Sequence, residues 1–190
     1  IVVKDTLKFL TEASSILREN LPSKIISITG SCGKTSLKEL TGKCLNKISQ
    51  TTYSPRSFNN KFGVPLSLFN LKENDDFGIF EIGMDKKGEI DYLSKIINPD
   101  VGVITNISYA HIKNFKNINQ IALAKSEIIK NIKKEGYLIL NKDDKFYNFH
   151  KKIALKRNLK ILSFSLKNKS ATINLDSISK NKSKYKISIN

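Results

Sequence analysis

The stretch from Ile25 to Leu40 constrains the fold more than any other. An apolar run suited to a strand, Ile25-Ile26-Ser27-Ile28, leads into Thr29-Gly30-Ser31-Cys32-Gly33-Lys34-Thr35-Ser36, and a helical run, Leu37-Lys38-Glu39-Leu40, follows at once. A strand that turns through glycines straight into a helix gathers free backbone N–H groups at one point, which is a seat for phosphate. Gly30 and Gly33 let the backbone approach an anion without a Cβ in the way. Lys34 supplies a point charge for outer phosphates, and the Thr35 hydroxyl is placed to ligate Mg²⁺. An ordinary glycine turn with a surface lysine needs neither flanking element. Residues Thr29 to Ser36 therefore read as a nucleotide triphosphate site.

The rest of the chain repeats the strand-then-helix alternation. Strand-like runs fall at 24–29, 49–53, 77–82, 100–105, 137–141 and 159–164, with helical patterns at 35–46, 64–71, 88–97, 117–133 and 143–156. Such alternation predicts an α/β fold, a mainly parallel sheet covered by helices, with ligands bound outside the carboxyl ends of the strands. A leading helix over 5–19 carries Leu7, Leu10, Ala13, Ile16 and Leu17 at helical spacing and stops at Asn20-Leu21-Pro22. Past about residue 165 the pattern changes to short β-like segments, 171–176 and 184–189, between polar turns, which predicts a small antiparallel meander.

Length and composition narrow the function. A chain of 190 residues suits one domain with a proper core. The net charge of +16 would suit nucleic acid, yet of 33 basic residues 30 are lysine and only Arg18, Arg56 and Arg157 are arginine. Arginine is the residue that forks phosphates and reads bases, and no aromatic–basic interleaving offers a stacking platform. The lysines read as solvated faces, and no nucleic-acid partner is expected. No run of eighteen apolar residues suggests a membrane span, and two cysteines without metal-type spacing fit a reducing cytoplasm. Cys32 sits where a helix dipole could lower a thiol pKa, but no nucleophile–base pair surrounds it, so it reads as a small loop residue.

Further candidates lie on later segments. Asn59-Asn60, before the Gly63-Val64-Pro65 helix start, offers amide donors and acceptors to an anionic or peptide substrate, although alone the pair reads as a loop. Glu81 ends the apolar strand Ile79-Phe80-Glu81-Ile82, where a carboxylate is costly without a partner such as Mg²⁺. Glu89 at a helix start is explained by the dipole. His111 follows a strand end, and alone would be structural; Lys125, in Ala124-Lys125-Ser126-Glu127-Ile128, alone would be a surface lysine. The two gain interest only beside the phosphate loop and Glu81.

Together these segments resemble the central ATP-binding domain of the Mur ligase family, which includes folate-polyglutamate ligases. The short Thr-Gly-x-x-Gly-Lys-Thr loop, with two residues between glycines instead of the usual Walker four, fits it. So do Asn59-Asn60-Lys61-Phe62-Gly63-Val64-Pro65, Glu81-Ile82-Gly83-Met84, Gly88-Glu89-Ile90, Ala110-His111 and Ala124-Lys125-Ser126-Glu127-Ile128. The similarity covers residues 5–165, and its details favour the member that joins D-alanyl-D-alanine to UDP-N-acetylmuramoyl-tripeptide. The resemblance implies ATP and two Mg²⁺ ions, with Lys34 on the phosphates and Thr35 and Glu81 on one ion. His111 would hold the second, helped by Lys125 carrying a carbamate made from CO₂. Asn141 and Asp144, in Asn141-Lys142-Asp143-Asp144, would lie beside the adenosine, and Asn59 and Asn60 would meet the acyl substrate. Cys32 and Ser36 replace the family's usual Asn and Thr, and Arg56-Ser57 a common Gly-Asn pair.

It further implies that 1–23 is a linker helix from a preceding domain, that 24–190 is the central domain, incomplete at its C-terminal side, and that a C-terminal ligase domain is absent. A monomer in the cytoplasm, inactive as this fragment, is expected. Another Mur ligase or a folylpolyglutamate synthase is the nearest alternative. A non-catalytic nucleotide-binding module is the other, in which Glu81, His111 and Lys125 would have no metal to hold.

Overall fold

A computed structural model describes residues 2–109, 114–181 and 184–190. Among them the elements run α1 (Thr6–Asn20), β1 (Lys24–Thr29), α2 (Lys34–Leu45), β2 (Thr51–Tyr53), α3 (Gly63–Leu68), β3 (Phe77–Glu81), α4 (Glu89–Ile97) and β4 (Val101–Ile104). Then follow α5 (Ile118–Lys125), a 3₁₀ helix at Ser126–Asn131, β5 (Tyr137–Asn141), α6 (Tyr147–Lys156), β6 (Lys160–Ser165), β7 (Ile173–Asn181) and β8 (Lys184–Ile189). The strands form one sheet in the order β2-β3-β1-β4-β5-β6-β7-β8. All pairings are parallel as far as β7, and β7–β8 is antiparallel.

Successive residues of these strands go to opposite faces, as a pleated strand requires. Ile79, Val103 and Ile28 form a small cluster under α2, packed with Leu37 and Leu45. Their neighbours Phe80 and Ile104 join the larger cluster with Val64, Leu68, Ile90, Leu93, Ile121 and Ala154, on which α3, α4, α5 and α6 pack. Continuous apolar strands are thus buried on both sides, the arrangement that the alternating pattern predicts. No helix of the described residues is long and apolar enough to cross a membrane.

The elements depart from expectation at four places. The first concerns α1, which buries Ser14 and Arg18 while Ile16 stays 61% exposed. The Arg18 guanidinium donates to the Ile97 and Leu21 carbonyls at 3.0 and 3.1 Å and lies 3.5 Å from Asp100. A cation therefore fastens the leading helix to the start of β4. Second, the helix expected over 117–133 tightens to 3₁₀ after Lys125. Third, α6 begins at Tyr147 rather than 143, because Asp143 and Asp144 are bound up in the preceding loop. Asp143 accepts from the Ser165 hydroxyl and Leu166 N–H, and Asp144 from the Phe146 and Ile107 N–H groups. Last, the meander does not start antiparallel: β7 joins β6 in parallel through Phe164–Ile173 and Ser165–Asn174 before turning back with β8.

Candidate nucleotide-binding site

β1 lies between β3 and β4, so the chain leaves the sheet's middle in opposite directions on either side of it. Such a switch point opens a crevice at the carboxyl ends of the strands. Register fixes what meets there: Ile28 pairs with Glu81 and Thr29 with Ile104. The phosphate loop therefore emerges between the carboxylate that ends β3 and the loop that follows β4.

Gly33 caps α2 with φ 80°, in the left-handed region, and has no side chain to satisfy the first N–H groups of the helix. A Cβ on Gly33 would meet nothing within 4 Å. The N-terminus of α2 thus faces open space, with Lys34 and Thr35 on its first turn, which is a seat for an anion. Gly30 is required for a different reason than ligand approach. Its φ is 146°, and a Cβ would stand 1.8 Å from the Thr105 hydroxyl oxygen. Gly30→Ala is expected to destabilise the domain by about 3 kcal/mol or more, through strain and a clash with backbone-anchored neighbours. At roughly 2–4 °C per kcal/mol for a chain of this size, the melting temperature should fall by at least about 6 °C. A fall below about 2 °C would contradict this account.

The loop after β4 braces the phosphate loop. Asn106 is the chief fastener: its carbonyl accepts from Ser31 N–H at 2.9 Å, its Oδ1 from Cys32 N–H at 3.1 Å, and its Nδ2 donates to the Cys32 carbonyl at 3.1 Å. The Thr105 hydroxyl donates to the same carbonyl at 2.7 Å, and the Ser31 hydroxyl exchanges hydrogen bonds with the Ser108 backbone. Thr29 is wholly buried, its hydroxyl without a partner among the described residues, so its side chain belongs to the strand and not to the open cradle. Cys32 is exposed and Ser36 faces outward on α2.

Glu81 is 1% exposed and both its oxygens are engaged: Oε2 accepts from the Thr35 hydroxyl and Oε1 from the Asn59 amide, each at 2.7 Å. Hard oxygens of Thr35 and Glu81 thus meet at the phosphate loop, a donor set suited to Mg²⁺. No cluster of three or more His, Cys, Asp or Glu with metal-ligating geometry occurs among the described residues. Asn60 turns its Oδ1 to the Phe62 and Gly63 N–H groups at 3.1 and 2.9 Å, fixing the start of α3. It also borders a cavity of about 600 Å³ with Lys34, Asn59, Met84 and Tyr92.

Lys125 ends α5 almost fully buried at 1% exposure, and its Nζ donates to the Gly30 carbonyl at 2.9 Å. Burial pushes its pKa down to about 7, the positive charge of Lys34 adds to the fall, and Cys32 opposes it. Lys125 is therefore no surface lysine. His111 lies outside the described residues. Asn141 and Asp144 close the turn after β5: Asn141 Oδ1 accepts from Asp143 N–H, and Asp144 ties this turn to Ile107 after β4. Glu89 accepts from the Asp85 and Lys86 N–H groups, while the start of α4 is capped from afar by Glu127, whose carboxylate takes the Gly88 and Asp91 N–H groups. Sequence reading passed over Asn106, Glu127 and Lys38; an Asn directly after a strand end in a glycine-loop fold is the one signal that pointed to the first.

Residues 28–190 match the family model described as the Mur ligase middle domain. The UDP-N-acetylmuramoyl-tripeptide–D-alanyl-D-alanine ligase of Buchnera aphidicola (subsp. Acyrthosiphon pisum) is 40% identical over 169 residues, covering 89% of this chain and 37% of that protein. The crystal structure of MurF from Acinetobacter baumannii superposes with a TM-score of 0.90 at 32% identity, over 100% of this chain and 41% of that one. MurF of Thermotoga maritima, solved in complex with ADP, shares the fold at a TM-score of 0.86 and 24% identity, over 100% of this chain and 43% of that one. The chain thus spans about two fifths of the length of these relatives. With its short phosphate loop, its β3 carboxylate and this match, the chain belongs to the Mur ligase family, as a middle domain.

Proposed function

We propose that this chain is the nucleotide-binding part of an ATP-dependent ligase that joins D-alanyl-D-alanine to UDP-N-acetylmuramoyl-tripeptide. The observation that carries the reading is the Thr35–Glu81 contact, a hydroxyl and a buried carboxylate meeting at 2.7 Å where the phosphate loop enters α2. The ligase activity of the relatives and the cavity beside Lys34 and Asn59 support it. Lys34 would lie against the outer phosphates of ATP, and Asn59 and Asn60 would meet the acyl substrate at the cavity mouth. Asn141 and Asp144, already locked by their own hydrogen bonds, would form the wall beside the adenosine.

The reaction needs no covalent enzyme nucleophile. The tripeptide carboxylate attacks the γ-phosphorus and ADP leaves; the amine of D-alanyl-D-alanine then attacks the acyl phosphate, and phosphate leaves through a tetrahedral intermediate. Thr35 and Glu81 are the residues that would hold Mg²⁺, which when bound neutralises charge on the phosphate oxygens. Lys34 offers a positive charge that grows in worth as negative charge gathers on the transferring group. For a second ion, His111 would act with Lys125. An amine donates no oxygen, so Lys125 would need a carbamate; its depressed pKa favours the neutral amine that adds CO₂.

Calorimetry with Mg-ATP, and an assay of ADP release by the full-length enzyme, test this reading. The 190 residues alone should bind Mg-ATP weakly, in the high micromolar range or about 5 kcal/mol, and form no amide bond. With two fifths of the relatives' length, one wall of the nucleotide site and the amine-positioning groups would be lacking, leaving charges screened by water. Full-length enzyme should release ADP only when both the tripeptide precursor and D-alanyl-D-alanine are present. Failure to bind Mg-ATP at any concentration would refute the nucleotide reading, and ADP release with neither substrate the ligase reading.

A further inference from the structure

Lys38 is a wholly buried lysine beside the site, and neither the phosphate loop nor the proposed metal donors use it. It lies one turn beyond Lys34 on α2. Its Nζ donates to the carbonyls of Ser54 and Arg56 and stands 3.0 Å from the Glu39 carboxylate. Its three donors are thus spent, as a buried amine requires. Both carbonyls belong to the turn after β2, and Arg56 holds φ 46°, a left-handed backbone that a non-glycine residue resists unless its neighbours hold it.

That turn leads to the site by short contacts. The Ser54 hydroxyl accepts from the backbone N–H of Glu81 at 3.4 Å. Farther along the same loop, Asn59 donates to Glu81 Oε1, and its carbonyl accepts from Gly83 N–H at 2.8 Å. Asn60 then sets the cavity wall. We infer that Lys38 is a positioning residue: it clamps the turn at Ser54 and Arg56 to α2 so that the following loop presents Asn59 to Glu81 and Asn60 to the acyl-substrate cavity. A packing lysine alone would stabilise the domain without favouring any one ligand. A clamp on this loop couples α2, which carries the phosphate loop, to the acyl-substrate side. Its kinetic consequences rest on the ligase reading; its structural consequence does not.

Two kinds of measurement on the full-length protein test it. In Lys38→Met, amide exchange at Phe58, Gly63 and Gly83, each bonded within or to this loop, should accelerate by tenfold or more while β1 and β4 amides keep their protection. Unchanged exchange in the loop overturns the inference whatever the enzyme does. In the ligase assay the same variant should raise the KM for the acyl substrate and the half-saturating Mg²⁺ concentration by tenfold or more, leaving the KM for D-alanyl-D-alanine within twofold. A fall in kcat with all three unchanged is what a merely structural lysine would give, and it overturns the inference. If Lys38→Met does not fold, Ser54→Ala takes its place, because it keeps both carbonyls and removes only the hydroxyl that meets Glu81. It should raise the acyl-substrate KM severalfold, and an unchanged value counts against the coupling. A wild-type enzyme that releases no ADP counts against the ligase reading alone, and the exchange data still decide for Lys38.

Discussion

Lys34→Ala in the full-length enzyme should lower turnover by a thousandfold or more and leave the fold intact. Lys34 is half-buried at the first turn of α2 and borders the open cavity, so its side chain contributes little packing. Its worth lies in the charge it aims where a phosphoryl group would pass. Removing a preorganised charge of that kind costs about 4 kcal/mol of barrier or more, and each 1.4 kcal/mol is a factor of about ten in rate. The helix N-terminus and the Thr35–Glu81 pair survive the substitution, so nucleotide binding should weaken less than turnover falls. Single-turnover kinetics with a melting curve separates the two. Near-normal turnover in a folded variant would rule out this role for the loop, and a collapse of the melting temperature would assign Lys34 to packing instead.

The fold is legible in the sequence where the signal is local. Strands β1, β3, β4 and β5 are apolar on both faces and bounded by turns, so their parallel pairing follows from pattern alone, and the glycine loop fixes where β1 ends. Glu81 was legible because a carboxylate ending an apolar strand is anomalous and demands a partner, here Thr35 and Asn59. Lys38, Arg18 and Glu127 were not legible, for one shared reason. Each is a charged residue with ordinary helix-compatible surroundings, and its burial is decided by groups far along the chain. Arg18 meets Ile97 and Asp100, Glu127 meets Gly88, and Lys38 meets a turn 16 to 18 residues away. In a chain with thirty lysines, nothing local marks Lys38 and Lys125 as two that go inside. Gly30 carries the same lesson: the sequence pattern suggests room for an anion there, whereas Thr105 across the strand pair imposes the glycine.

Lys125→Met should cost activity on the order of a thousandfold and flatten the pH dependence of stability. Both effects follow from a lysine held beneath the phosphate loop with a pKa of about 7, below its ordinary 10.5. Burial is the chief cause and the charge of Lys34 the second. Between about pH 7 and 10.5 the unfolded chain binds more protons at this site than the folded one, so stability should rise with pH across that window. Below about pH 7 the side chain is charged in both states, and the full cost of burying that charge is felt. Methionine fills similar space without titrating, so the variant should lose this slope, and at pH 6 it should be no less stable than the parent. The amine chemistry gives the larger effect. The neutral nitrogen would attack the carbon of CO₂, forming an N–C bond and releasing one proton, and the product would be an anionic carbamate with oxygens able to face a metal. Enzyme equilibrated with ¹³C-bicarbonate at pH 8 should show one carbamate resonance that Lys125→Met lacks. Acidification to pH 6 should erase it, because protonation withdraws the nucleophilic amine. An active enzyme with no such resonance at pH 8 would sink the carbamate, leaving Lys125 as the donor that holds Gly30 in place.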